Sequence, residues 1–323
     1  MPIDSGVSVK SVVTGGLGFI GHHLVRALTE RGDTVLVLDN QVEGVFTERF
    51  LQGKVEYVTI DVADVGNKNK KRLVEYCEGA NYIFHLAALP RVQFSIENPV
   101  ETAQANVIGT VAMLNAAFAT GAEKFVFASS SSVYGDPEAL PLREDMLPMP
   151  MSPYARHKLQ GEEYCRDFAL APYNLPTVCL RFFNVYGPGA DPNGAYALVV
   201  AKFLEQKRNG QRLTITDDGE QTRDFTHVRD VVRAIILAAE SDQVSMGEVT
   251  NVGGGRQISV NEVADLIDPG GDREYIEPRL EPRHTLADIR KAKLLLGWQP
   301  EVRFEDGIVE LLELYQIKKR PSA

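Results

Sequence analysis

Short apolar runs alternate with segments of helical spacing through the first 180 residues of the chain. The runs have the length of buried strands, and glycine or polar residues separate them from the amphipathic segments. Strands and helices in such alternation are typical of an α/β fold with a doubly wound parallel sheet. We predict strands at Val9–Val13, Thr34–Leu38, Val55–Ile60, Tyr82–Leu86, Lys124–Ala128 and Thr177–Arg181. We predict helices near 19–30, 67–78, 99–119 and 153–170.

The pattern is less regular after Arg181. Residues 253–303 are rich in Gly, Pro and charge, which favours loops and short helices. We predict a loop at 187–194, helices near 195–208 and at Val228–Ala239, and a late strand at Glu248–Val252 that returns to the sheet.

The change of pattern predicts two domains. Residues 1–184 with about 224–252 would form a large sheet domain. About 185–223 with 253–323 would form a smaller, discontinuous α/β lobe.

Composition and charge argue against several classes of partner. The chain has 323 residues, 44% of them hydrophobic and 24% charged, and a net charge of −10. It offers no basic field for nucleic acid or an anionic membrane, and we find no apolar run of transmembrane length and no signal peptide. The three cysteines show neither CxxC nor metal-ligand spacing, which suits a reducing compartment. We expect a cytoplasmic protein that binds no nucleic acid, no membrane and no metal.

A glycine-rich turn follows the first predicted strand. Gly15, Gly18 and Gly21 lie between that strand and the helical residues that begin at Phe19 and Ile20. Glycines let the backbone turn sharply and let a pyrophosphate approach the helix N-terminus, where free N–H groups and the helix dipole favour anions. The turn is therefore predicted to bind a dinucleotide.

The second predicted strand is followed by Asp39, near the spacing of a carboxylate that binds the adenosine ribose. A carboxylate repels a 2′-phosphate, and Asn40 adds no basic side chain, so we predict NAD rather than NADP. An ordinary strand–turn–helix connection with a capping aspartate is the alternative. The order of strand, glycines, helix, strand and acid favours the dinucleotide.

Tyr154 and Lys158 follow Ser152 and Pro153, which suit the N-cap and the first position of a helix. Four residues apart, they would share one helix face. A phenol has a free pKa of ~10, but a nearby ammonium favours the phenolate. The pair is suited to take a proton from an alcohol while hydride leaves the same carbon. The same spacing also occurs by chance on surface helices, so its weight depends on the rest of the chain.

Several further motifs follow in a familiar order. Taken singly, each has an ordinary explanation: His85 as a satisfied core histidine, or Arg223 and Asp224 as a surface ion pair. Together they resemble the extended short-chain dehydrogenases/reductases of the nucleotide-sugar epimerase/dehydratase family, over nearly the whole chain. The motifs are Thr14–Gly21, Asp61–Val62, His85–Ala88, Asn106–Thr110, Ser129–Gly135, Tyr154 with Lys158, Arg181–Pro188 and Arg223–Val228.

The resemblance implies a Rossmann-type NAD-binding domain, a lobe that binds a nucleotide-diphosphate sugar such as a UDP-hexose or UDP-N-acetylhexosamine, and a homodimer. NAD would be tightly bound and regenerated in each cycle. The resemblance assigns cofactor contacts to Gly15, Gly18, Phe19, Ile20, Gly21, Asp39, Asn40, Asp61, Val62, Leu86, Ala87, Ala88, Asn106, Tyr154 and Lys158.

The resemblance also assigns catalysis to Ser130, Tyr154 and Lys158. Ser130 would orient the sugar oxygen toward Tyr154, although Ser129 and Ser132 in the same turn make this register ambiguous. The substrate would contact Ser130, Asn184, Arg223 and Arg279. The spacing near Arg279 is shorter than in the family, so Arg283 would share or replace its role.

The shared first step of the family is oxidation of the sugar at C4. Typical 4,6-dehydratases carry Asp-Glu directly after the catalytic Ser or Thr, and the decarboxylases keep the Glu. Ser131 and Ser132 stand there in this chain, which favours 4-epimerisation.

Besides a reductase that consumes NADH, two alternatives remain at this point. One is a UDP-hexosamine dehydratase of the 5,6-type or the 4,6-type, of which the 5,6-type would use Tyr154, a thiol or another base. Arg156-His157 and the Met146–Met151 segment depart from common epimerase sequence and keep this possibility open. A non-catalytic NAD-binding subunit is the other alternative, which the presence of the Tyr154 and Lys158 pair disfavours.

Overall fold

A seven-stranded sheet forms the centre of the molecule, which we describe from a computed structural model over residues 9–42, 55–90, 92–192, 199–277 and 282–317. All neighbouring strands of this sheet run parallel. The strands are β1 (Lys10–Thr14), β2 (Thr34–Asp39), β3 (Val55–Thr59), β4 (Tyr82–His85), β5 (Lys124–Ser130), β6 (Thr177–Phe182) and β11 (Met246–Val252). Their spatial order is β11-β6-β5-β4-β1-β2-β3.

Within the described ranges, three two-stranded pairs lie outside the main sheet. A parallel pair joins β7 (Val185–Tyr186) to β10 (Thr226–His227), and an antiparallel pair joins β9 (Thr222–Asp224) to β12 (Gln257–Ser259). A second parallel pair joins β8 (Leu213–Thr216) to β13 (Arg273–Ile276).

Helices connect the strands. The first half of the chain contributes α1 (Phe19–Arg31), α2 (Asn67–Cys77), α3 (Val92–Glu97), α4 (Pro99–Ala103), a π-helical turn (Gln104–Ile108), α5 (Gly109–Thr120), a 3₁₀ turn (Ser131–Tyr134) and α6 (Pro153–Ala169). The second half contributes α7 (Val199–Arg208), α8 (Val228–Glu240), α9 (Val260–Ile267), α10 (Arg290–Leu296) and α11 (Phe304–Leu314).

The strand order reverses between β1 and β4. The chain moves from β1 through β2 to β3 on one side, and the remaining strands add on the other side. In an open parallel sheet, ligands bind outside the carboxyl ends of the strands at such a switch point. The turns that follow β1 and β4 therefore mark the cofactor side of the molecule.

Apolar cores lie on both faces of the sheet, and a third core lies outside it. One face packs against α1 and α8, and the other against α2, α5 and α6. The third core gathers residues of the C-terminal part, including Phe203, Phe225, Ile258 and Phe304. Trp298 is fully buried, packs with the first core and donates from Nε1 to the carbonyl of Asp230 at 2.9 Å. None of the helices in the described ranges has the length and apolar character needed to cross a bilayer.

The predicted doubly wound α/β fold is confirmed, and so is the return of the late strand, because β11 pairs in parallel with β6. Ser152 caps α6 by accepting from the Ala155 N–H at 3.2 Å, with Pro153 at the first helical position. The single helix expected near 99–119 is divided by the π turn. The helix expected near 195–208 lies at Val199–Arg208 as far as the structure describes it, since 193–198 fall outside the described residues.

Candidate active site

The glycine turn after β1 is shaped by two close backbone approaches. Gly15 has a φ of +68°, and a Cβ there would lie 2.7 Å from the backbone nitrogen of Ala87. A Cβ on Gly21 would lie 2.1 Å from the Gly15 carbonyl oxygen. Gly18 is the N-cap of α1, and no side chain caps this helix end among the residues that the structure describes. The first-turn amides of α1 are therefore suited to bind a pyrophosphate.

A chain of hydrogen bonds crosses the switch point. Thr14 Oγ1 lies 2.8 Å from His85 Nδ1, and His85 Nε2 lies 3.0 Å from Thr110 Oγ1. Thr14 Oγ1 also accepts from the Ala87 N–H at 3.2 Å. Burial lowers the pKa of His85 to about 3, so its ring is neutral. His85 is a satisfied core histidine, and Thr14 beside it ties the Leu86–Ala88 turn to the end of β1.

Asp39 ties the same glycine turn to the end of β2. Its Oδ2 accepts from the Leu17 N–H at 3.0 Å and its Oδ1 from the Gln41 N–H at 2.8 Å. The side chain is buried, and Asn40 beside it is exposed. A carboxylate has about four acceptor positions, so these two bonds leave capacity for a ribose hydroxyl.

A cleft of about 670 Å³ opens at the carboxyl ends of β2 and β3. Asp61 and Ala63 line it, and Asp61 Oδ1 accepts from the Ala63 N–H at 2.9 Å. Val62 lies between them with its side chain in the sheet core. The remaining walls include Asn40, Leu89, Pro99 and Gln104. Its size and place fit the adenosine half of a dinucleotide.

Sequence reasoning missed Ala63, Leu89 and Gln104 in this cleft. Gln104 Nε2 donates to the Ala63 carbonyl at 2.6 Å and joins the π turn to the end of β3. Leu89 is held by Asn106, whose Oδ1 accepts from the Leu89 N–H at 2.7 Å and whose Nδ2 donates to its carbonyl at 2.9 Å. Asn106, predicted to contact the cofactor, thus also fixes a wall of the cleft. Its place in a π turn, a local widening that is frequent at functional sites, is consistent with such a role.

The turn after β5 brings the serines to the edge of the sheet. Ser130 ends the strand, and its Oγ accepts from the Ser132 N–H at 3.2 Å. Ser129 is buried and donates from Oγ to Glu162 Oε1 at 2.5 Å. Because Ser129 is bound on the inner side, Ser130 and Ser132 remain the candidates in this turn, and Ser132 Oγ is buried without a hydrogen-bond partner among the described residues.

Tyr154 and Lys158 lie on the buried face of α6. Lys158 Nζ donates to the Ala128 carbonyl at 2.8 Å and lies 5.9 Å from the centre of the Tyr154 ring. The Tyr154 backbone N–H donates to Ser95 Oγ at 3.1 Å, which ties α6 to α3. Burial lowers the pKa of Lys158 to about 8. The structure thus places the Lys158 ammonium, with its lowered pKa, beside the buried phenol of Tyr154 and next to the strand that carries Ser130.

On the substrate side, the structure brings Asn184 and the Arg223–Asp224 peptide together. Asn184 has a φ of +26°, and its Nδ2 donates to the Asp224 carbonyl at 3.0 Å. The Asp224 carboxylate is fully buried and accepts from the N–H groups of Gly254, Gly255 and Ala287. Asp224 is therefore an anchor for several loops and not the surface partner of Arg223.

Arg279 and Arg283 are the two further arginines predicted to lie at the diphosphate. Arg279 lies outside the described residues. Arg283 pairs with Asp217 and Asp218 through bonds of 2.7 Å each, and Arg223 Nη1 donates to the Thr222 carbonyl at 3.0 Å. Two carboxylates therefore already pair with the guanidinium of Arg283.

The site combines a glycine turn at the switch point of a parallel sheet with a buried Tyr–Lys pair next to β5. These two features define a dinucleotide-binding protein with the side chains for alcohol oxidation. The sequence profile of the NAD dependent epimerase/dehydratase family matches residues 11–253. The chain belongs to this family, as its motifs predicted.

Known proteins agree with this assignment. A UDP-glucose 4-epimerase of Mycolicibacterium smegmatis is 36% identical over 321 residues, covering 97% of this chain and 100% of that protein. A UDP-N-acetylglucosamine 4-epimerase of Methanobrevibacter ruminantium, solved with UDP-N-acetylmuramic acid, superposes with a TM-score of 0.88 at 34% identity and 96% and 98% coverage. A UDP-glucose 4-epimerase of Thermus thermophilus, solved with NAD, gives a TM-score of 0.84 at 33% identity and 95% and 99% coverage.

Proposed function

We propose that the protein is an NAD-dependent 4-epimerase of a nucleotide-diphosphate sugar, a UDP-hexose or a UDP-N-acetylhexosamine. The observation that carries this proposal is the buried Tyr154–Lys158 pair beside β5, where Ser130 is followed by Ser131 and Ser132 and not by carboxylates. The activities of the similar proteins support the choice of a UDP-sugar.

The cofactor fits the residues that are present. The glycine turn and the free end of α1 suit a pyrophosphate, and the cleft of about 670 Å³ suits the adenosine. Asp39 favours NAD because a buried carboxylate repels the 2′-phosphate of NADP. When bound, the nicotinamide supplies the chemistry of accepting a hydride from the sugar and returning it.

The chain's own side chains then move the proton. Tyr154 Oη takes the proton of the C4 hydroxyl and returns it when C4 is reduced on the other face. Lys158 stabilises the phenolate by its charge. Ser130 Oγ holds the sugar oxygen in line with Tyr154. Because one base serves both directions, the cycle leaves the enzyme unchanged.

On the substrate side, the smaller lobe would hold the nucleotide. Asn184 is bonded to the carbonyl of Asp224, the residue after Arg223, and the two side chains are suited to bind the diphosphate together. Arg279 is the second arginine that we assign to it. This proposal includes the division into a sheet domain of residues 1–184 with about 224–252 and a smaller lobe of about 185–223 with 253–323.

A dehydratase needs a base to remove the proton at C5. Ser131 and Ser132 offer no carboxylate at the usual place. The three cysteines, the thiols that an elimination could use, are buried. Burial raises the pKa of Cys77 to about 12 and also raises that of Cys179. These observations favour epimerisation over elimination.

We also propose a cytoplasmic homodimer. Unpaired buried thiols suit a reducing compartment. Phe118, Leu170 and Tyr173 expose 42%, 46% and 39% of their surface, and the rings of Phe118 and Tyr173 are in edge contact. An exposed apolar patch of these side chains is suited to contact with a second copy of the chain. Sedimentation of wild type and of Phe118→Glu tests this, and a wild type that sediments as a monomer at all concentrations contradicts it.

Proton NMR of the product tests the reaction. UDP-glucose, UDP-galactose and their N-acetyl counterparts are incubated separately with the protein, and Tyr154→Phe is the matched control. We expect an intact hexose inverted at C4 from at least one pair, with equilibrium reached from either side. A 4-keto-6-deoxy sugar or vinyl protons would instead assign the chain to the dehydratases.

A further inference from the structure

A buried ion pair lies one helical turn beyond Lys158 on α6. Arg181 on β6 donates from Nε to Glu162 Oε1 at 2.8 Å and from Nη2 to Oε2 at 2.7 Å. The two side chains expose only 3% and 4% of their surface. Removing two charges from water costs several kcal/mol per ion, and apolar residues often replace such pairs without loss of stability. Stability alone is therefore a weak explanation for the pair.

The pair is bonded to the strand that carries Ser130. Ser129 Oγ donates to Glu162 Oε1 at 2.5 Å, and Lys158 Nζ donates to the Ala128 carbonyl at 2.8 Å. Glu162 and Lys158 are four residues apart on one face of α6. They bind two consecutive residues of β5, and the next residue is Ser130.

The other end of the serine turn is bound to the same pair. The Arg181 guanidinium lies 4.5 Å from the centre of the Tyr134 ring. Tyr134 Oη donates to Asn251 Oδ1 at 2.7 Å, and Asn251 Nδ2 donates to the Leu142 carbonyl at 2.9 Å. The turn that contains Ser130 is thus held on its N-terminal side by Ser129 and on its C-terminal side by Tyr134.

We propose that the Glu162–Arg181 pair is a positioning device that fixes Ser130 Oγ relative to Tyr154. Glu162, Arg181 and Ser129 are positioning residues, because they act through the backbone of β5 and not on the substrate. Misplacement of a catalytic group by about 1 Å costs on the order of a hundredfold in rate. The inference rests on the proposed function only for the role of Ser130 in turnover.

A variant that removes both charges separates positioning from stability. Glu162→Leu combined with Arg181→Met keeps similar volume and leaves no unpaired charge, so the fold is expected to persist. We expect unchanged NAD content and KM, with kcat lower by roughly ten- to a hundredfold. Ser129→Ala keeps the ion pair and should lower kcat in the same direction, and Ser129→Thr, which keeps the hydroxyl, should restore it.

Two controls make the result specific. Lys207→Met breaks the ion pair with Asp268 in the C-terminal part and should lower stability without changing kcat. Ser129→Ala added to the double variant should cause no further loss, because its acceptor is already gone. Wild-type kcat in the double variant, or fully additive losses, would overturn the proposal.

A crystal structure of the double variant tests the positioning role of the ion pair independently of turnover. We expect Ser130 Oγ to leave its wild-type position relative to Tyr154. An unmoved Ser130 overturns the positioning role, whatever the activity. If wild type itself oxidises no nucleotide sugar, the proposed function fails, and the displacement of Ser130 still decides this inference.

Discussion

Lys158 donates a hydrogen bond of 2.8 Å from Nζ to the carbonyl oxygen of Ala128, and this bond holds its ammonium beside the Tyr154 ring. Burial lowers the pKa of Lys158 to about 8, while the charge of Glu162 on the same helix opposes that change. Lys158 is therefore an ammonium at neutral pH and loses its proton not far above it. In the proposed mechanism this charge stabilises a phenolate at Tyr154, so turnover is expected to depend on pH.

We predict that kcat/KM falls as pH rises through about 8, the pKa of buried Lys158. The sign follows from the lowered pKa: the charged form is complete below that pH and is lost above it. Initial rates across the neutral and alkaline range measure this. Lys158→Arg is the control, because its guanidinium stays charged, and its residual activity should lack this alkaline limb. A wild-type profile that stays level far into the alkaline range contradicts the assignment.

Tyr154→Phe should bind NAD as wild type does and lose turnover by a factor on the order of 10²–10⁴. The proton of the C4 hydroxyl then has no acceptor, while the backbone bond from residue 154 to Ser95 remains. Lys158→Met should lose activity and also weaken NAD binding. Steady-state rates and calorimetry with NAD separate the two effects. Near wild-type activity in Tyr154→Phe would refute the mechanism.

Asp39→Ala should weaken NAD binding and relax the discrimination against NADP. The carboxylate would repel the 2′-phosphate of NADP, and it also holds the Leu17 N–H of the glycine turn. Asp39→Asn is the matched variant, because it keeps a polar side chain of the same size without the charge, so its effect on NADP isolates the repulsion. Equal affinity of wild type for NAD and NADP in calorimetry shows that this acid does not select the cofactor.

Much of this architecture follows from local pattern. The six strands predicted in the first part of the chain occur with shifts of one or two residues at their ends, because apolar runs of strand length between helical segments have few other solutions. The glycine turn, Asp39 and the cap of α6 are local features with local causes. Each of them can be predicted from the sequence without knowledge of the rest of the fold.

The remaining features of the fold and the site depend on contacts between residues that are distant in the chain. No local pattern in the sequence indicates that Glu162 and Arg181 meet each other or that Ser129 joins them. Likewise, the sequence alone allows a surface ion pair of Asp224 with Arg223, whereas the three backbone donors to Asp224 come from residues 254, 255 and 287. The π turn around Asn106 is stabilised by its bonds to Leu89, which no propensity of the segment reveals.

Arg223→Ala should raise KM for a nucleotide-diphosphate sugar by roughly ten- to a hundredfold, the effect of a lost hydrogen bond to a charged group. Arg283→Ala is the companion variant: a similar rise in KM would mean that Arg283 shares this role despite its pairing with Asp217 and Asp218. The free sugar should be a poor substrate of the wild type. Equal rates on free and nucleotide-linked sugar would refute a diphosphate site.

The last prediction concerns the fate of the hydrogens during turnover in D₂O. Epimerisation removes a hydride from C4 and returns it to the same carbon, while only the hydroxyl proton passes through Tyr154 and exchanges with solvent. The product should therefore carry no deuterium on carbon. Elimination breaks the C5–H bond and needs a base that Ser131 and Ser132 do not provide. Mass spectrometry and proton NMR of the product distinguish the two reactions. Deuterium at C5 or C6 would contradict the epimerase assignment, and an unlabelled hexose inverted at C4 is the expected result.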